Sequence, residues 1–333
     1  MNVDYFGIIV FIYLVRLCHS GEKKGNCGQN RHILVDKRKL HEYKEKFKEW
    51  FKMERQRVDE EAVIRAAMEK KSGIKYGEMY SHDFFGERFK VCKSQLEKYG
   101  SGDEEKRLCG ISTIGDISND CVVYSIGSNN QWQFERDIVT KTKCKVETFD
   151  CMISLEAKVP DEIAHRVTLH RVCIFDRVAR SGNQTFLSWP SLLSYMKAKV
   201  PPTVLKLDVE GYEWSVLKSM ILPSIKDPEL TAKKLEMLPN QIAIEMHMHK
   251  HRTQDEILTF LSFLQLFGGY ILADLRENTL CQHCAELLFI RISCEGKAAL
   301  KIGSHGAASS QSQSQSHMSI MKAMEKHFSY VVK

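Results

Sequence analysis

The sequence predicts an α/β fold: a seven-stranded, mostly parallel sheet with helices on both faces, plus an N-terminal helical extension. From residue 121 onward, short apolar runs alternate with helix-like segments, a pattern typical of parallel strands joined by right-handed crossovers. Four of the apolar runs also stop at Gly, Asp, Glu or His. Buried parallel strands deliver polar groups to the carboxyl edge of a sheet in this way, so we expect function at that edge.

The predicted elements follow in chain order. Strands are expected at residues 121–126, 144–149, 167–175, 203–208 and 241–246, and helices near 131–141, 188–199, 211–222 and 253–266. Two further strands near 269–275 and 285–293, joined by a short loop, complete the set of seven.

Ahead of the sheet lies a charged segment. Residues 21–108 are interpreted as a linker followed by a charged helical extension, with a loop-rich stretch from residue 72. The helix, at residues 37–71, has an apolar stripe through Leu40, Tyr43, Phe47, Phe51 and Met53. We interpret it as a solvated helix that packs one face on the main domain, and a partner-binding helix is the alternative.

The two ends of the chain differ in composition from the middle. Residues 1–20 are interpreted as a signal peptide, because the ten-residue apolar run at 6–15 is too short to span a bilayer and small residues precede position 21. An uncleaved signal anchor facing the lumen and a buried strand are the alternatives. Residues 303–333 begin with a Ser, Gly and Gln repeat that has nothing to bury, so a disordered tail is expected.

Cysteine usage indicates the same compartment as the leader. Of the 11 cysteines, one lies in the predicted signal peptide, which leaves an even number for disulfides in an oxidising lumen. Cys281 and Cys284 are expected to form a disulfide or to be free thiols, with zinc as the alternative. Cys144, Cys151 and Cys173 are either disulfide partners or small buried hydrophobic residues.

Charge excludes one class of partner. The formal net charge is +6, and acids interrupt the basic residues, so no basic stripe that could follow phosphates is visible. Nucleic acid is therefore not expected as a partner, and neither is a stable membrane span. The sequon at Asn183 predicts a glycoprotein if this loop is exposed in the lumen.

Two strand ends resemble a known family. The run LKLDVEGYEWSVLKS, residues 205–219, resembles the LKIDVEGAE segment of FkbM-like proteins among the class I S-adenosylmethionine-dependent methyltransferases. The run CVVYSIGSN, from Cys121, is similar to the first-strand signature of a related secreted methyltransferase-like family. The resemblance covers residues 109–292. It implies a methyltransferase domain at 109–302, with a Rossmann-like sheet that ends in an antiparallel hairpin. It also implies a disulfide between Cys109 and Cys121.

The first two strand ends contain most of the expected S-adenosyl-L-methionine site. At Gly127 the backbone can turn tightly before a helix, and Ser125, Ser128 and Asn129 surround it. Because this loop has a single glycine, Ser128, Asn129 and Asn130 are expected to supply the positive-φ or close-approach geometry that further glycines would give. Asp150 follows Gly127 by about 20 residues, the interval that places a carboxylate on a ribose.

The third strand end offers one more cofactor residue. Asp176 is expected to accept a hydrogen bond from the adenine amino group. The alternative is a surface ion pair with the neighbouring Arg177.

The fourth and fifth strand ends contain the candidate catalytic residues Asp208, Glu245 and His247. In the implied fold Asp208 faces the transferred methyl group, and its alternative role is to cap the helix that begins near residue 212. Glu245 and His247 occupy alternate positions of one strand and so face one side, where histidine is a possible base near neutral pH. The alternatives are an edge histidine with ordinary partners, or a manganese or magnesium site made by all three.

The resemblance implies a methyltransferase of the secretory pathway that O-methylates a small hydroxylated or carbohydrate acceptor. The alternative, from another class, is a catalytically inactive methyltransferase fold that acts as a secreted binding module. Affinity for the cofactor distinguishes the two, because only the enzyme requires it. The acceptor and the oligomeric state cannot be read from the sequence.

Overall fold

A computed structural model describes residues 37–72, 96–113, 120–221, 236–248, 268–278 and 284–292, with a few single residues between these ranges. The predictions for the leader at 1–20, the linker at 21–36 and the tail at 303–333 fall outside the described residues, as does much of the predicted helix at 253–266.

The described residues include four α-helices and twelve strands. The helices are α1 (Lys37–Ser72), α2 (Gln133–Lys141), α3 (Trp189–Tyr195) and α4 (Glu213–Ile221). The strands are β1 (Glu97–Tyr99), β2 (Lys106–Leu108), β3 (Val122–Ile126), β4 (Lys145–Phe149), β5 (Val167–His170), β6 (Cys173–Ile174), β7 (Ala179–Ser181), β8 (Gln184–Leu187), β9 (Val204–Leu207), β10 (Gln241–His247), β11 (Tyr270–Glu277) and β12 (Cys284–Arg291).

Seven strands make the central sheet, in the order β11-β12-β10-β9-β3-β4-β5. Strands β5, β4, β3, β9 and β10 are parallel, and β12 runs antiparallel to both of its neighbours. The predicted seven-stranded, mostly parallel sheet with a final antiparallel pair is confirmed. The order reverses direction between β3 and β9, which puts a ligand-binding crevice at the carboxyl ends of these two central strands.

The sheet separates two apolar cores because successive side chains of a strand point to opposite faces. On one face Val123 packs with Phe134 and Ile138 of α2. On the other, Tyr124 packs with residues of α3 and α4 such as Trp189 and Val216. Helices therefore cover both faces, as the alternating sequence pattern predicts.

A small second sheet interrupts the predicted strand at 167–175. Strand β5 ends at His170, and the chain then forms a three-stranded sheet in the order β6-β8-β7 before α3 begins. The turn between β7 and β8 exposes Asn183, the asparagine of the sequon. The run at 167–175 is predicted as one strand because both of its halves are strand segments with a buried residue, Val167 and Ile174, although they belong to different sheets.

An antiparallel hairpin, β1–β2, was not predicted within the loop-rich stretch before the sheet. Gly100 and Gly102 lie in its turn, at φ +82° and +63°. The segment after the hairpin is fastened to β10 by Gln241, whose side-chain amide exchanges two hydrogen bonds with the backbone of Cys109.

Helix α1 was predicted correctly, and one side of its first half packs on the domain. Tyr43, Phe47 and Val58 are buried, and the Tyr43 hydroxyl donates a hydrogen bond to Gln265 Oε1 at 2.5 Å. Met53, which was placed on the apolar stripe, is instead 72% exposed. No helix in the described part of the chain is both long enough and apolar enough to cross a membrane.

Four disulfides join the described cysteines: Cys92–Cys109, Cys121–Cys144, Cys151–Cys173 and Cys281–Cys284. The predicted Cys109–Cys121 pair is therefore wrong. Cys121 and Cys144 immediately precede the parallel neighbours β3 and β4, whose first residues are paired in register, so their Cα atoms lie only 4.7 Å apart. The interpretation of Cys144, Cys151 and Cys173 as simple buried hydrophobic residues is also overturned.

Loop closure predicts what the Cys121–Cys144 bond contributes. The two cysteines are 23 residues apart, so the Cys121→Ala/Cys144→Ala variant is expected to lose about 3 kcal/mol of unfolding free energy, measured by urea denaturation. Peptide mapping of the unreduced protein is expected to recover a Cys121–Cys144 linked peptide. Recovery of a Cys109–Cys121 peptide instead would contradict the pairing that the sheet register imposes.

Candidate active site

The loop after β3 meets the end of β9 at Gly127. This glycine has φ +81°, and a Cβ atom placed on it would lie 1.7 Å from the backbone oxygen of Asp208. Its amide donates a hydrogen bond to the Phe149 carbonyl at 3.0 Å, and its carbonyl accepts one from the Lys206 ammonium. No residue with a side chain fits here, so glycine is required for three strand ends to converge.

Asparagines complete the turn, as predicted. Asn129 and Asn130 have φ of +48° and +59°, the left-handed conformation that asparagine tolerates best after glycine. The amides of Ser128 and Asn129 both donate to Asp150 Oδ2, at 3.0 and 2.8 Å. The other carboxylate oxygen of Asp150 accepts from the Met152 amide at 2.9 Å. Asp150 thus fixes the shape of the loop after β3 from the end of β4.

The other two predicted cofactor residues, Ser125 and Asp176, differ in whether they can bind a ligand. The Ser125 hydroxyl donates to Glu135 Oε1 at 2.6 Å inside the core, where Ser125 is fully buried. Asp176 has one buried carboxylate oxygen, Oδ1, with no hydrogen-bond donor among the described residues, and Arg177 Nε lies 3.9 Å from it. Since buried polar atoms normally have partners, the oxygen of Asp176 is suited to accept a ligand donor, whereas Ser125 is not available.

A buried lysine that the sequence analysis did not identify organises the other half of the edge. Lys106, on β2, is 1% exposed, and its ammonium lies 3.2 Å from Asp208 Oδ2 and 3.8 Å from Glu245 Oε2. It also donates to Glu286 Oε1 at 2.6 Å. These four residues, which we call the Lys106 cluster, come from β2, β10, β12 and the residue after β9. The hairpin ahead of the sheet is therefore part of the site.

Charge within the Lys106 cluster sets the protonation of its carboxyl groups. Burial opposes ionisation of Asp208, but the ammonium groups of Lys106 and Lys206 hold the pKa of Asp208 below its ordinary value. Burial, and then the negative charge of Asp208, raise the pKa of Glu245 to about 7, against the opposing effect of Lys106. Near neutral pH, Asp208 is ionised and Glu245 exchanges its proton readily. The environments of the two carboxyl groups thus separate their acid–base roles.

His247 lies between two glutamates. Its Nδ1 is 3.1 Å from Glu213 Oε1, and its Nε2 is 3.3 Å from Glu210 Oε2. Burial alone would lower the pKa of His247, but the hydrogen bond and charge of Glu213, together with nearby carboxylates, raise it to about 9. The imidazole is therefore protonated near pH 7. A protonated imidazole cannot accept a proton, so these contacts favour the alternative of an edge histidine with carboxylate partners over the predicted base.

Glu213 also caps α4. Its carboxylate accepts hydrogen bonds from the amides of Val209 and Gly211, at 2.9 and 3.1 Å. In the described part of the chain, Asp208 makes no hydrogen bond to an amide of this helix, so its predicted role as the cap is wrong. Glu210 has φ +53°, a conformation that costs about 1–2 kcal/mol for a residue with a side chain. This strained turn directs the Glu210 carboxylate to His247.

Two sets of possible metal ligands overlap at this edge. The donor atoms of Asp208, Glu210 and His247 lie within 4.8 Å of one another, as do those of Glu245, His247 and Cys284. Cys284 is bonded to Cys281, so its sulfur is not a thiolate. The Lys106 ammonium already supplies the positive charge that Asp208 and Glu245 would share with a cation. Of the three predicted catalytic residues, Asp208 and Glu245 thus meet at Lys106, and His247 lies beside Asp208.

Comparisons with known proteins were made for the whole chain. A family described as "Methyltransferase domain" matches residues 40–291, about three quarters of the sequence. A search of curated proteins found no match.

Among solved structures, three similar ones illustrate the result. The fibrillarin pre-rRNA processing protein of Methanococcus jannaschii is 13% identical, over 66% of this chain and 97% of that one, with a TM-score of 0.32. A 16S rRNA (adenine(1408)-N(1))-methyltransferase from Catenulisporales acidiphilia is 11% identical, over 60% and 98%, with a TM-score of 0.31. M. capricolum TrmK in complex with S-adenosyl-homocysteine is 11% identical, over 54% and 65%, with a TM-score of 0.31. TM-scores this low do not support an argument about the fold. The fold is instead defined by the strand order of the sheet and by the family match.

The raised pKa of His247 predicts a specific pH dependence of stability. A histidine whose folded-state pKa is about 9 stabilises the fold fully below its unfolded pKa of about 6.5, and this contribution is lost as the pH rises through 9. Between these values the wild-type unfolding free energy is expected to fall by about 3 kcal/mol relative to His247→Gln. Urea denaturation at pH 6, 7, 8 and 9 measures the difference, with the exposed His165→Gln as control. Parallel pH curves for wild type and His247→Gln would show that folding does not raise the pKa of His247.

Proposed function

Since this chain belongs to the methyltransferase-domain family, we propose that it is an S-adenosylmethionine-dependent methyltransferase of the secretory pathway that O-methylates a small hydroxylated or carbohydrate acceptor. The observation that carries the proposal is the contact between Gly127 and the backbone of Asp208. It joins the loop suited to the cofactor directly to the strand end that holds the Lys106 cluster.

The residues at the first three strand ends fit the cofactor. The left-handed turn at Gly127, Asn129 and Asn130 gives the loop after β3 a tight shape against which a cofactor would lie. Asp150 would accept hydrogen bonds from the ribose hydroxyls, and the unpartnered Oδ1 of Asp176 from the adenine amino group. When bound, S-adenosylmethionine supplies a methyl group activated by a sulfonium. Ser125 is not in this set, because its hydroxyl is bound to Glu135.

The Lys106 cluster and His247 supply the groups that an alcohol acceptor needs. Ionised Asp208 is a hydrogen-bond acceptor that orients the hydroxyl. Glu245, with a pKa of about 7, takes the hydroxyl proton onto its carboxylate, and the Asn278 amide holds that carboxylate in place at 2.6 Å. Protonated His247 contributes positive charge and positions Glu210 at the exposed side of the edge.

Two features support the compartment. Four disulfides among the described cysteines are typical of oxidising surroundings, because cytosolic reductants keep thiols reduced. The exposed Asn183, at the turn between β7 and β8, is accessible for glycosylation.

Binding of S-adenosylhomocysteine tests the cofactor site. The folded wild-type protein is expected to bind it in isothermal titration calorimetry, and Asp150→Asn is expected to bind about 5- to 150-fold more weakly, the effect of losing a charge-assisted hydrogen bond. Glu147→Gln is the matched control and should bind like wild type. Glu147 lies on β4, which Asp150 directly follows, but its carboxylate is paired with His170. A folded wild-type protein without affinity would favour the inactive binding module.

Turnover tests the proton acceptor. Transfer of labelled methyl groups from S-adenosylmethionine to a panel of hydroxylated small molecules and glycans identifies an acceptor. With it, wild-type turnover is expected to rise with pH through about 7, because Glu245 must be ionised to take a proton. Glu245→Gln is expected to reduce turnover about 100-fold or more and to abolish this rise, while Glu147→Gln retains both and cofactor affinity stays within a few-fold. If Glu245→Gln keeps the wild-type pH profile, Glu245 is not the proton acceptor.

A further inference from the structure

The second half of α1 extends away from the domain. The helix has 36 residues, and its last buried side chain is Val58. From Asp59 to Ser72, every side chain whose burial is described is exposed or half-exposed. This segment, which we call the α1 projection, is about 20 Å long at 1.5 Å per residue. An isolated helix of this length is marginally stable in water, so a partner surface would stabilise it.

The α1 projection has an apolar stripe. Val63, Ile64 and Met68 are 71%, 59% and 48% exposed, and Ala67 lies among them. Residues three and four positions apart are neighbours on a helix surface, so these side chains form one continuous patch. None of the described residues covers it. Large aliphatic groups grouped in this way on a charged helix indicate an interaction surface rather than scattered exposure.

Charges flank the stripe with opposite signs at its two ends. Glu60 and Glu61 precede it, and Lys70 and Lys71 follow it. All four residues are exposed or half-exposed. Glu60 and Glu61 thus lie before the apolar stripe and Lys70 and Lys71 after it, with Arg65 in its middle and Glu69 next to the lysines.

We propose that the α1 projection binds the same segment of a second copy of this chain, with the two helices antiparallel. Centred between residues 65 and 66, the pairing places Val63 opposite Met68 and Ile64 opposite Ala67 of the second copy. The same register places Glu60 opposite Lys71 and Glu61 opposite Lys70. One two-fold arrangement thus pairs the apolar residues and the opposite charges together, which is the self-complementarity that a symmetric dimer requires.

Other arrangements do not satisfy both patterns. A parallel pair would place glutamates beside glutamates and lysines beside lysines, which is unfavourable. An anionic membrane would attract the lysines but repel the acidic end. The surface is small compared with the roughly 1,200–2,000 Å² of stable interfaces. The dimer is therefore expected to have a dissociation constant in the micromolar range and to dissociate on dilution below it. This inference does not depend on the proposed function.

Sedimentation velocity of the full chain, from about 1 to 200 μM, tests self-association. The wild-type protein is expected to shift from monomer to dimer over this range. Ile64→Asp is expected to remain monomeric. Met53→Asp alters an even more exposed apolar residue of the same helix outside the projection and should dimerise like wild type. A wild-type protein that is monomeric at 200 μM, or a dimer that persists in Ile64→Asp, would overturn the proposal.

A charge exchange tests the antiparallel register. Glu60→Lys/Glu61→Lys and Lys70→Glu/Lys71→Glu each place like charges opposite each other, so each variant alone is expected to associate at least about 10-fold more weakly. An equimolar mixture restores opposite charges at both ends and is expected to recover wild-type association. Because these side chains are exposed, circular dichroism should show unchanged folding. If the mixture associates no better than the separate variants, the two helices do not pair in this register.

Discussion

The positive charge of one buried ammonium group, that of Lys106, holds together the carboxyl groups at the carboxyl edge of the sheet. Lys106 is taken out of water among Asp208, Glu245 and Glu286, and burial of a charge is tolerated only with such compensation. Burial lowers the pKa of Lys106, but the charges of Asp208 and Glu286 outweigh it and keep the ammonium protonated. Its positive charge allows three carboxyl groups to lie together, although the charge of Asp208 still raises the pKa of Glu245. The hairpin β1–β2, which brings Lys106 to the sheet, is thus as necessary to the site as the strands themselves.

The sequence predicted what depends on local pattern. Apolar runs that end in polar residues located the parallel strands, and the single glycine at position 127 predicted the left-handed asparagines. The sequence did not predict contacts between residues far apart in the chain. Lys106 lies in an ordinary charged stretch, and only the sheet reveals that it reaches Asp208. Glu213 looks like a helix residue, yet it bonds to His247 and so changes the protonation of the residue taken for a base. The cysteine pairing was missed for the same reason, because strand register sets it.

The two halves of the edge suit different tasks. Around Gly127 the polar groups are backbone amides and carboxylates already joined to each other, so this half is preorganised and rigid. Around Lys106 the groups include a carboxyl with a pKa of about 7 and a glutamate, Glu210, that reaches solvent. A site with a fixed shape on one side and exchangeable protons on the other is the arrangement expected of an enzyme that holds one ligand firmly and releases another.

The Cys121–Cys144 disulfide has an effect at a distance. It joins the amino ends of β3 and β4, while at their carboxyl ends the Ser128 and Asn129 amides bind Asp150. A slip of β3 along β4 by even one residue would turn its side chains to the wrong face and separate those amides from their carboxylate. The disulfide at the amino ends of β3 and β4 therefore keeps the residues at their carboxyl ends in register. Because Gly127 lies against the backbone of Asp208, that alignment also sets the position of the strand end that holds the Lys106 cluster.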